Sequence, residues 1–246
     1  MSYGGYIGLE DWRETGDPHW DNVGLMLDCE GTDAATSITD LSPTPKTITF
    51  TANAQVDTDK ARYGSSSILF DGTDDRISVD TTSTDFGFGT GDFTVEFSFW
   101  LTTLAAGDVY YMFDLLTNKC SIQVQGSTYG GTNGRVFVNM GGGTSLDIDD
   151  ACNVTGQWYD VMLRRRQGVL SFFVNGIEAT GGVNGIVNRT DVGSTNKLYM
   201  GGYSAGTPIF DGWLDNVRVT KGVGRDPQIN PTRAWPRSTS SGVFSI

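Results

Sequence analysis

The sequence predicts an all-β chain folded as a two-sheet antiparallel jelly-roll sandwich, with extended N- and C-terminal arms. Three observations carry that expectation. In GDFTVEFSFWL (91–101), Phe93, Val95, Phe97 and Phe99 share one face while Thr94, Glu96, Ser98 and Trp100 share the other, which is the period of a strand with one buried side. The 33 Gly among 246 residues are about twice the usual share. A hydrophobic content of 38% with 11% aromatics rules out a disordered Gly-rich chain, so the glycines mark tight turns between packed strands. No window sustains a 3.6-residue period, and no strand alternates with a segment of helix length.

The elements follow in chain order. Residues 1–20 mix Tyr, Trp, Gly, Pro and charges without either period and form the N-terminal arm. From NVGLMLDCEGTD onward, strand and turn alternate: SSSILF (65–70), RISVD (76–80), the 91–101 strand, VYYMFDLL (109–116), CSIQVQG (120–126) and RVFVNM (135–140). The stretch QWYDVMLRRRQGVLSFFVNGIEA (157–179) is a hairpin turning at Arg166-Gln167-Gly168, with a second tight turn at Asn175-Gly176. KLYMGG (197–202) and GWLDNVRVTKG (212–222) complete a sandwich over residues 21–222, and periodicity then stops in a second arm, 223–246. The predicted shared core is Phe93, Val95, Phe97, Phe99, Val161, Leu163, Phe172, Val174, Val217 and Val219. Trp100 and Trp158 are expected to pack in the core or between the sheets.

Charge and cysteine content exclude several classes. A net charge of −12 and a pI near 4.3 oppose binding to nucleic acid or an anionic membrane, which need a cationic footprint. No stretch of 18 apolar residues and no basic segment leading into an apolar one occurs, so neither membrane insertion nor export by such a signal is expected. Cys29, Cys120 and Cys152 are too few and too scattered for a disulfide framework or a Cys-x-x-Cys metal site. They read as reduced, buried thiols, with one disulfide plus a free thiol as the alternative.

Four motifs carry a family likeness: YGSSSILFDGTDDRISV, FGFGTGDFTVEFSFW, GQWYDVMLRRRQGVLSFFVNGIEA and GGYSAGTPIFDGWLDNVRVTKGVGR. In this order and spacing they resemble the laminin G-like branch of the concanavalin A-like lectin/glucanase superfamily, in the form found in tailed-phage virion and tail proteins. The resemblance covers roughly residues 23 to 235. It implies a two-sheet jelly roll, often with a calcium ion at one rim and a glycan- or protein-binding surface on one sheet or in rim loops. Such a fold hosts many functions, so function has to come from the site.

An enzyme of this superfamily would need paired carboxylates. Its retaining glycosidases resemble one another in a Glu-x-Asp-x-x-Glu strand, because two carboxylates must flank one sugar at about 5 Å. The five glutamates here, Glu10, Glu14, Glu30, Glu96 and Glu178, form no such motif. The single histidine, His19, lies in the expected arm with no Ser or Cys beside it, which disfavours histidine-based nucleophilic catalysis.

The loop Asp71-Gly72-Thr73-Asp74-Asp75 raises the question of calcium, which takes six to eight oxygens. Candidate ligands are Asp71, Asp74 and Asp75, joined by Asp28 or Glu30 from the first strand and Asp215 from the last. Asp215 shares strand parity with Trp213, Val217 and Val219, so a carboxylate facing inward there would need a cation, an Arg or backbone N–H groups. The alternative is that Asp71 and Asp74 serve as Asx-turns; Asp outnumbers Glu 24 to 5, which suits either reading.

For carbohydrate, the stacking candidates are Tyr110, Tyr111, Tyr129, Trp158, Tyr203 and Trp213, with Tyr129 and Tyr203 in the most loop-like settings. Arg164, Arg165 and Arg166 at the hairpin tip could read an anionic glycan, or form a solvated turn or an inter-subunit salt bridge. The arms carry Tyr3, Tyr6, Trp12, Trp20, Trp235 and Phe244, apolar anchors suited to contacts with other virion proteins or with a second copy of the chain. They could equally fold back over the domain's own sheet edges. The expectation is a non-enzymatic phage virion protein, assembled in the host cytoplasm as a homo-oligomer. Its sandwich binds host-surface glycan in a tail fibre or, alternatively, serves only assembly as a capsid or tail decoration protein; a glycan-degrading enzyme is the remote alternative.

Overall fold

The structure is a computed structural model and describes residues 17–81, 85–115, 120–129, 131, 133–141, 145–180, 182–193, 195–203 and 210–227. A short 3-10 turn (Trp20–Asn22) leads into sixteen strands: β1 (Val23–Leu27), β2 (Ile48–Thr51), β3 (Gln55–Asp57), β4 (Ser67–Asp71), β5 (Arg76–Asp80), β6 (Phe93–Leu101), β7 (Val109–Leu115), β8 (Cys120–Gln125), β9 (Arg135–Asn139), β10 (Ser145–Ile148), β11 (Trp158–Arg166), β12 (Val169–Val174), β13 (Ile177–Glu178), β14 (Ile186–Val187), β15 (Lys197–Met200) and β16 (Asp211–Lys221). They form two antiparallel sheets. One has nine strands in the order β13-β12-β11-β6-β16-β4-β3, with β1 beside β16 and β14 beside β12; the other has seven, in the order β10-β9-β8-β7-β15-β5-β2.

The sandwich core is built where the period of two predicts it. Of the ten predicted core residues, nine are buried, and Val174 is partly buried against them. From the facing sheet come Ile77, Val79, Ile122, Val124, Val136 and Leu198. The turns also match: Gln167 and Gly168 have φ of 52° and 77°, Asn175 and Gly176 of 52° and 76°, the double positive φ that suits a right-twisted hairpin. The three cysteines are buried and free of disulfides.

Two expectations fail, the first at a bulge in β16 and the second because regular alternation along β6 and β11 keeps Trp100 and Trp158 on the outer face. β16 pairs with β6 along its length, but the register shifts between Asp215 and Arg218, and Asn216 adopts a φ of 51°. This bulge inserts one residue and resets the alternation. Trp213 and Asp215 therefore face outward while Val217 and Val219 face the core, and the parity read from the sequence is broken between them. Trp100 pairs with Trp158 and Trp213 on the outer face, alongside Ser98 and Glu96, so neither Trp100 nor Trp158 packs between the sheets.

That outer face is largely covered, which a one-sided strand pattern does not anticipate. Thr94, Glu96 and Ser98 are buried beneath the two chain flanks and the 60–63 segment. The Arg225 guanidinium donates to both oxygens of Asp17 at 2.9 and 2.8 Å, and Arg218 bridges Asp17 at 3.2 Å and Glu96 at 2.7 Å. Arg225 also donates its backbone N–H to Thr94 Oγ1 at 2.9 Å. Asp17 and Arg225 thus sit outside the 21–222 span expected for the sandwich, yet are buried against it. Trp20, assigned by sequence to the assembly arm, packs against Val23 and Met26. Tyr3, Tyr6, Trp12, Trp235 and Phe244 lie outside the described residues.

Replacing Asp17 by Ala leaves two buried guanidinium groups short of a partner and is expected to cost about 3–5 kcal/mol. Burial raises the Asp17 carboxyl, but the Arg225 hydrogen bonds, then the charges of Arg225 and Arg218, hold it below its ordinary value. A depressed folded value means the stabilisation is present above about pH 4 and is lost as the pH falls through the folded value. Melting curves from pH 7 to pH 2 should show that loss in the native chain, and a smaller dependence in the Asp17→Ala variant.

Candidate functional site

The seven-stranded sheet keeps one face toward the core; on the other, Asp114, Ser121, Gln123, Gln125 and Ser78 are buried while the aromatic rings and the edge positions are half-open or exposed. Register lines up one residue from each strand across that outer face: Ser145, Asn139, Ser121, Asp114, Tyr199, Ser78 and Thr49. The adjoining row places Asp147, Phe137, Gln123 and Tyr111 opposite one another. Tyr111, Phe137, Tyr199 and Tyr203 are half-buried, each offering part of a ring to solvent. Tyr203 brings its ring to 5.0 Å from that of Tyr111 at 30°. Burial, with the nearby Asp114 and Tyr203, raises the Tyr111 hydroxyl above its ordinary value, so it is a neutral donor and acceptor at physiological pH.

A directed hydrogen-bond ladder runs beside these rings. Arg135 chelates Asp147 through Nε and Nη2, and its Nη1 donates to Gln125 Oε1 at 2.7 Å. Because Arg can only donate, Gln125 must present its oxygen there, and its Nε2 donates to Gln123 Oε1 at 2.8 Å. Gln123 in turn donates to Ser121 Oγ at 3.3 Å. The amides are held in one orientation. Ser121, Gln123, Gln125 and Asp114 are buried, so the ladder supports the half-open rings from beneath. Beside the rings Asn139 and Ser145 are half-buried, and together they give a mixed surface of the kind a sugar needs, apolar for its C–H face and polar for its hydroxyls.

Among the described residues, this face does not contain the two-carboxylate arrangement of a glycosidase. Asp114 stands between Ser121 and Tyr199, while Asp147 and Asp80 lie three and two strands away, each paired with a cation, Arg135 and Lys197. At a strand spacing of about 4.8 Å and a rise of about 3.4 Å per residue, Asp147 is at least about 14 Å off, and Asp80, two strands across and two residues along from Ser78, about 12 Å; both are beyond the separations that retaining or inverting hydrolysis uses.

The sequence-predicted site residues distribute differently. Tyr203 joins this face through Tyr111, and Tyr129 is 43% exposed in the turn after β8. The arginine run is not the free cluster the hairpin suggested, because strand alternation separates its members. Arg165 is fully buried, donating to the carbonyls of Gly91 (2.7 Å), Thr190 (2.8 Å) and Gly89 (2.6 Å). Arg164 donates to the carbonyl of Arg225 at 2.8 Å, and Arg166 pairs with Asp226.

Nor are the five candidate metal ligands brought together. Asp75 accepts from the N–H groups of Asn53 (2.6 Å) and Asp71 (2.7 Å), and Asp71 accepts from Asn53 Nδ2 (3.0 Å) and the Thr73 N–H (2.9 Å). Asp74 is exposed. Asp215 lies four residues along β16 from Asp211, the residue opposite Asp71, or about 13 Å at the rise of a strand. Its Oδ2 accepts the N–H groups of Arg62 (2.8 Å) and Tyr63 (3.0 Å), and burial lifts its carboxyl to about 7. Asp28 accepts from the Glu30 N–H at 3.3 Å. Among the described residues, no three His, Cys, Asp or Glu are placed to hold a metal ion; the loop carboxylates bind their own backbone, as Asx-turns do.

Fold and face together define a lectin-like sandwich domain. Residues 71–230 match the laminin G family described as the concanavalin A-like lectin/glucanases superfamily, and the chain belongs to that superfamily. Among solved structures, it resembles the binding domain of Paraclostridial Mosquitocidal Protein 1 (17% identity, TM-score 0.62, 84% of this chain and 50% of that one). It also resembles the botulinum neurotoxin serotype D ligand-binding domain in complex with N-acetylneuraminic acid (14%, TM-score 0.61, 83% and 49%). A third is a structure from work on the interaction of botulinum neurotoxin type C with two ganglioside molecules (11%, TM-score 0.59, 83% and 49%). At these identities the likeness is one of fold, and the chain spans about half the length of each. No curated protein matches it in sequence.

Two measurements check this placement. Arg165→Ala removes a fully buried side chain with its three hydrogen bonds to backbone carbonyls and should cost at least about 3 kcal/mol, whereas Arg166→Ala should stay within about 1 kcal/mol; denaturant titrations of both compare them. Melting in EDTA against millimolar calcium should leave the midpoint unchanged, since an ion bound only by the native state would raise it; a calcium-dependent rise would make the 71–75 loop a ligand set.

Proposed function

We propose that the chain is a non-enzymatic glycan-binding module of a tailed-phage virion protein, using the outer face of its seven-stranded sheet to hold host-surface carbohydrate. The observation that carries the reading is the group of half-open rings, Tyr111, Phe137, Tyr199 and Tyr203, on one sheet face above a buried, oriented Ser121–Gln123–Gln125 ladder. The likeness of the four motifs to tailed-phage virion proteins supports the placement in a particle. The sugar ligands named for two solved relatives, N-acetylneuraminic acid and gangliosides, support carbohydrate as the ligand class.

The geometry also supports a division of labour. The Asp17–Arg225 contact brings both chain flanks together on the outer face of the nine-stranded sheet, on the side opposite the tyrosine face. Arms that dock the domain to other virion proteins, or to further copies of the chain, would leave that face directed outward.

A glycan array probed with the purified chain is expected to give sugar-selective signals. Tyr111→Ala and Tyr199→Ala should each weaken them about tenfold, the equivalent of roughly 1.4 kcal/mol of lost contact, without lowering the melting midpoint by more than a few degrees. A blank array, together with labelling of the capsid shell or tail tube in immuno-electron microscopy, would favour a decoration protein used only for assembly.

A further inference from the structure

A second aromatic surface lies on the opposite sheet. Trp158 of β11, Trp100 of β6 and Trp213 of β16 stand directly opposite one another on adjacent strands, and the row continues through Leu69 to Gln55. All five side chains are half-buried. Trp100 and Trp158 meet edge to face at 6.1 Å and 71°. The Trp213 indole is fixed by donation of its Nε1–H to Asp57 Oδ1 at 3.0 Å. This end of the outer face is not covered by the chain flanks that bury Glu96 and Thr94.

The cation beside this row, like Arg76, Arg165 and Arg189, is outside the ion pairs found among the described residues. Lys60 Nζ sits 5.0 Å from the Trp100 ring centroid and 4.7 Å from that of Trp213. It makes no ion pair among the described residues, in a chain with a net charge of −12, whereas Arg62, Arg135, Arg164, Arg166, Arg218 and Arg225 are all paired with carboxylates. Its backbone is held by Ser67 Oγ, which donates to the Lys60 carbonyl at 2.8 Å. The nearby Asp57 carboxylate already serves Trp213 and the Asp59 N–H. The result is a fixed ammonium, lying on two indole faces, whose complement is an external anion.

We propose that Trp158, Trp100, Trp213 and Lys60 form a second carbohydrate site, selective for a carboxylate-bearing pyranose of an acidic polysaccharide. The apolar C–H face of the sugar stacks on the indole row, its carboxylate meets the Lys60 ammonium, and Gln55 at the end of the row offers an amide to a neighbouring hydroxyl. This site lies on the other sheet from Tyr111 and Tyr199 and does not rest on the reading of that face.

The indoles themselves report binding. Tryptophan fluorescence is titrated with trigalacturonic acid, its methyl ester and sialyllactose, for the native chain and for Lys60→Gln, Lys60→Arg, Trp158→Ala and Tyr111→Ala. At least one of the two acidic sugars is expected to give a saturable change, weakened about tenfold or more by Lys60→Gln, as loss of a charge-assisted contact implies. Lys60→Arg should restore affinity to within a few-fold, because a guanidinium also stacks on aromatic faces. The methyl ester should bind about tenfold more weakly than the acid, if the acid is the trimer that binds. Trp158→Ala should weaken binding and Tyr111→Ala should leave it unchanged. The proposal is overturned if neither acidic sugar gives a saturable change, or if Lys60→Gln, shown by its melting curve to be folded, binds as tightly as the native chain.

Discussion

The reset of side-chain alternation at Asn216 is the constraint on which both faces of the nine-stranded sheet depend. β16 is the longest strand, paired with β6 on one edge and with β4 and then β1 on the other. A strict period of two along its eleven residues would put Trp213, Asp215, Val217 and Val219 on the same side, and no single face could satisfy them all. The extra residue sends the valines into the core and the tryptophan and aspartate outward. Arg218 then reaches Glu96, and the chain flanks have charges to dock against.

Docking of the flanks determines which surfaces are left for binding. Asp17 and Arg225, 208 residues apart in sequence, meet over β6 and convert the polar face of that strand into a second interior. Four charged groups are buried there because each is paired; singly, each would be costly. The 60–63 segment covers the next row, where Arg62 and Tyr63 satisfy Asp160 and Asp215. The tryptophan row at one end of the sheet is left half-open, and at the other Arg166, Val169 and Val187 are exposed. On the seven-stranded sheet the polar side chains from Arg135 to Ser121 order one another, and Ser121, Gln123 and Gln125 are buried beneath half-open rings.

Much of the fold was legible because its signals are local. The Phe93–Phe99 alternation, the Gln167-Gly168 and Asn175-Gly176 turns and the apolar runs at 120–126 and 135–140 each fall in the strand or turn the sequence predicts. The short strands β2, β3, β10 and β14 do not stand out in the sequence, since two to four residues carry too little periodicity. The candidate site was less legible. Ser121, Gln123 and Asn139 are visible as the polar members of alternating strands, but nothing local says that β8 and β9 lie beside β7, or that Tyr111 stands across from Gln123.

The sequence by itself determined the strand and turn pattern, the apolar face of each long strand, and the absence of the superfamily's paired-acid motif, because these are properties of neighbouring residues and of composition. Only the tertiary structure decided what the charged and aromatic residues do. Arg165 is a buried clamp and not a surface cation, Trp100 lines an outer row and not the core, and Asp17 and Arg225 belong to the body of the domain. In each case the deciding contact comes from a strand or flank distant in sequence, and a single bulge is enough to turn a side chain from one face to the other.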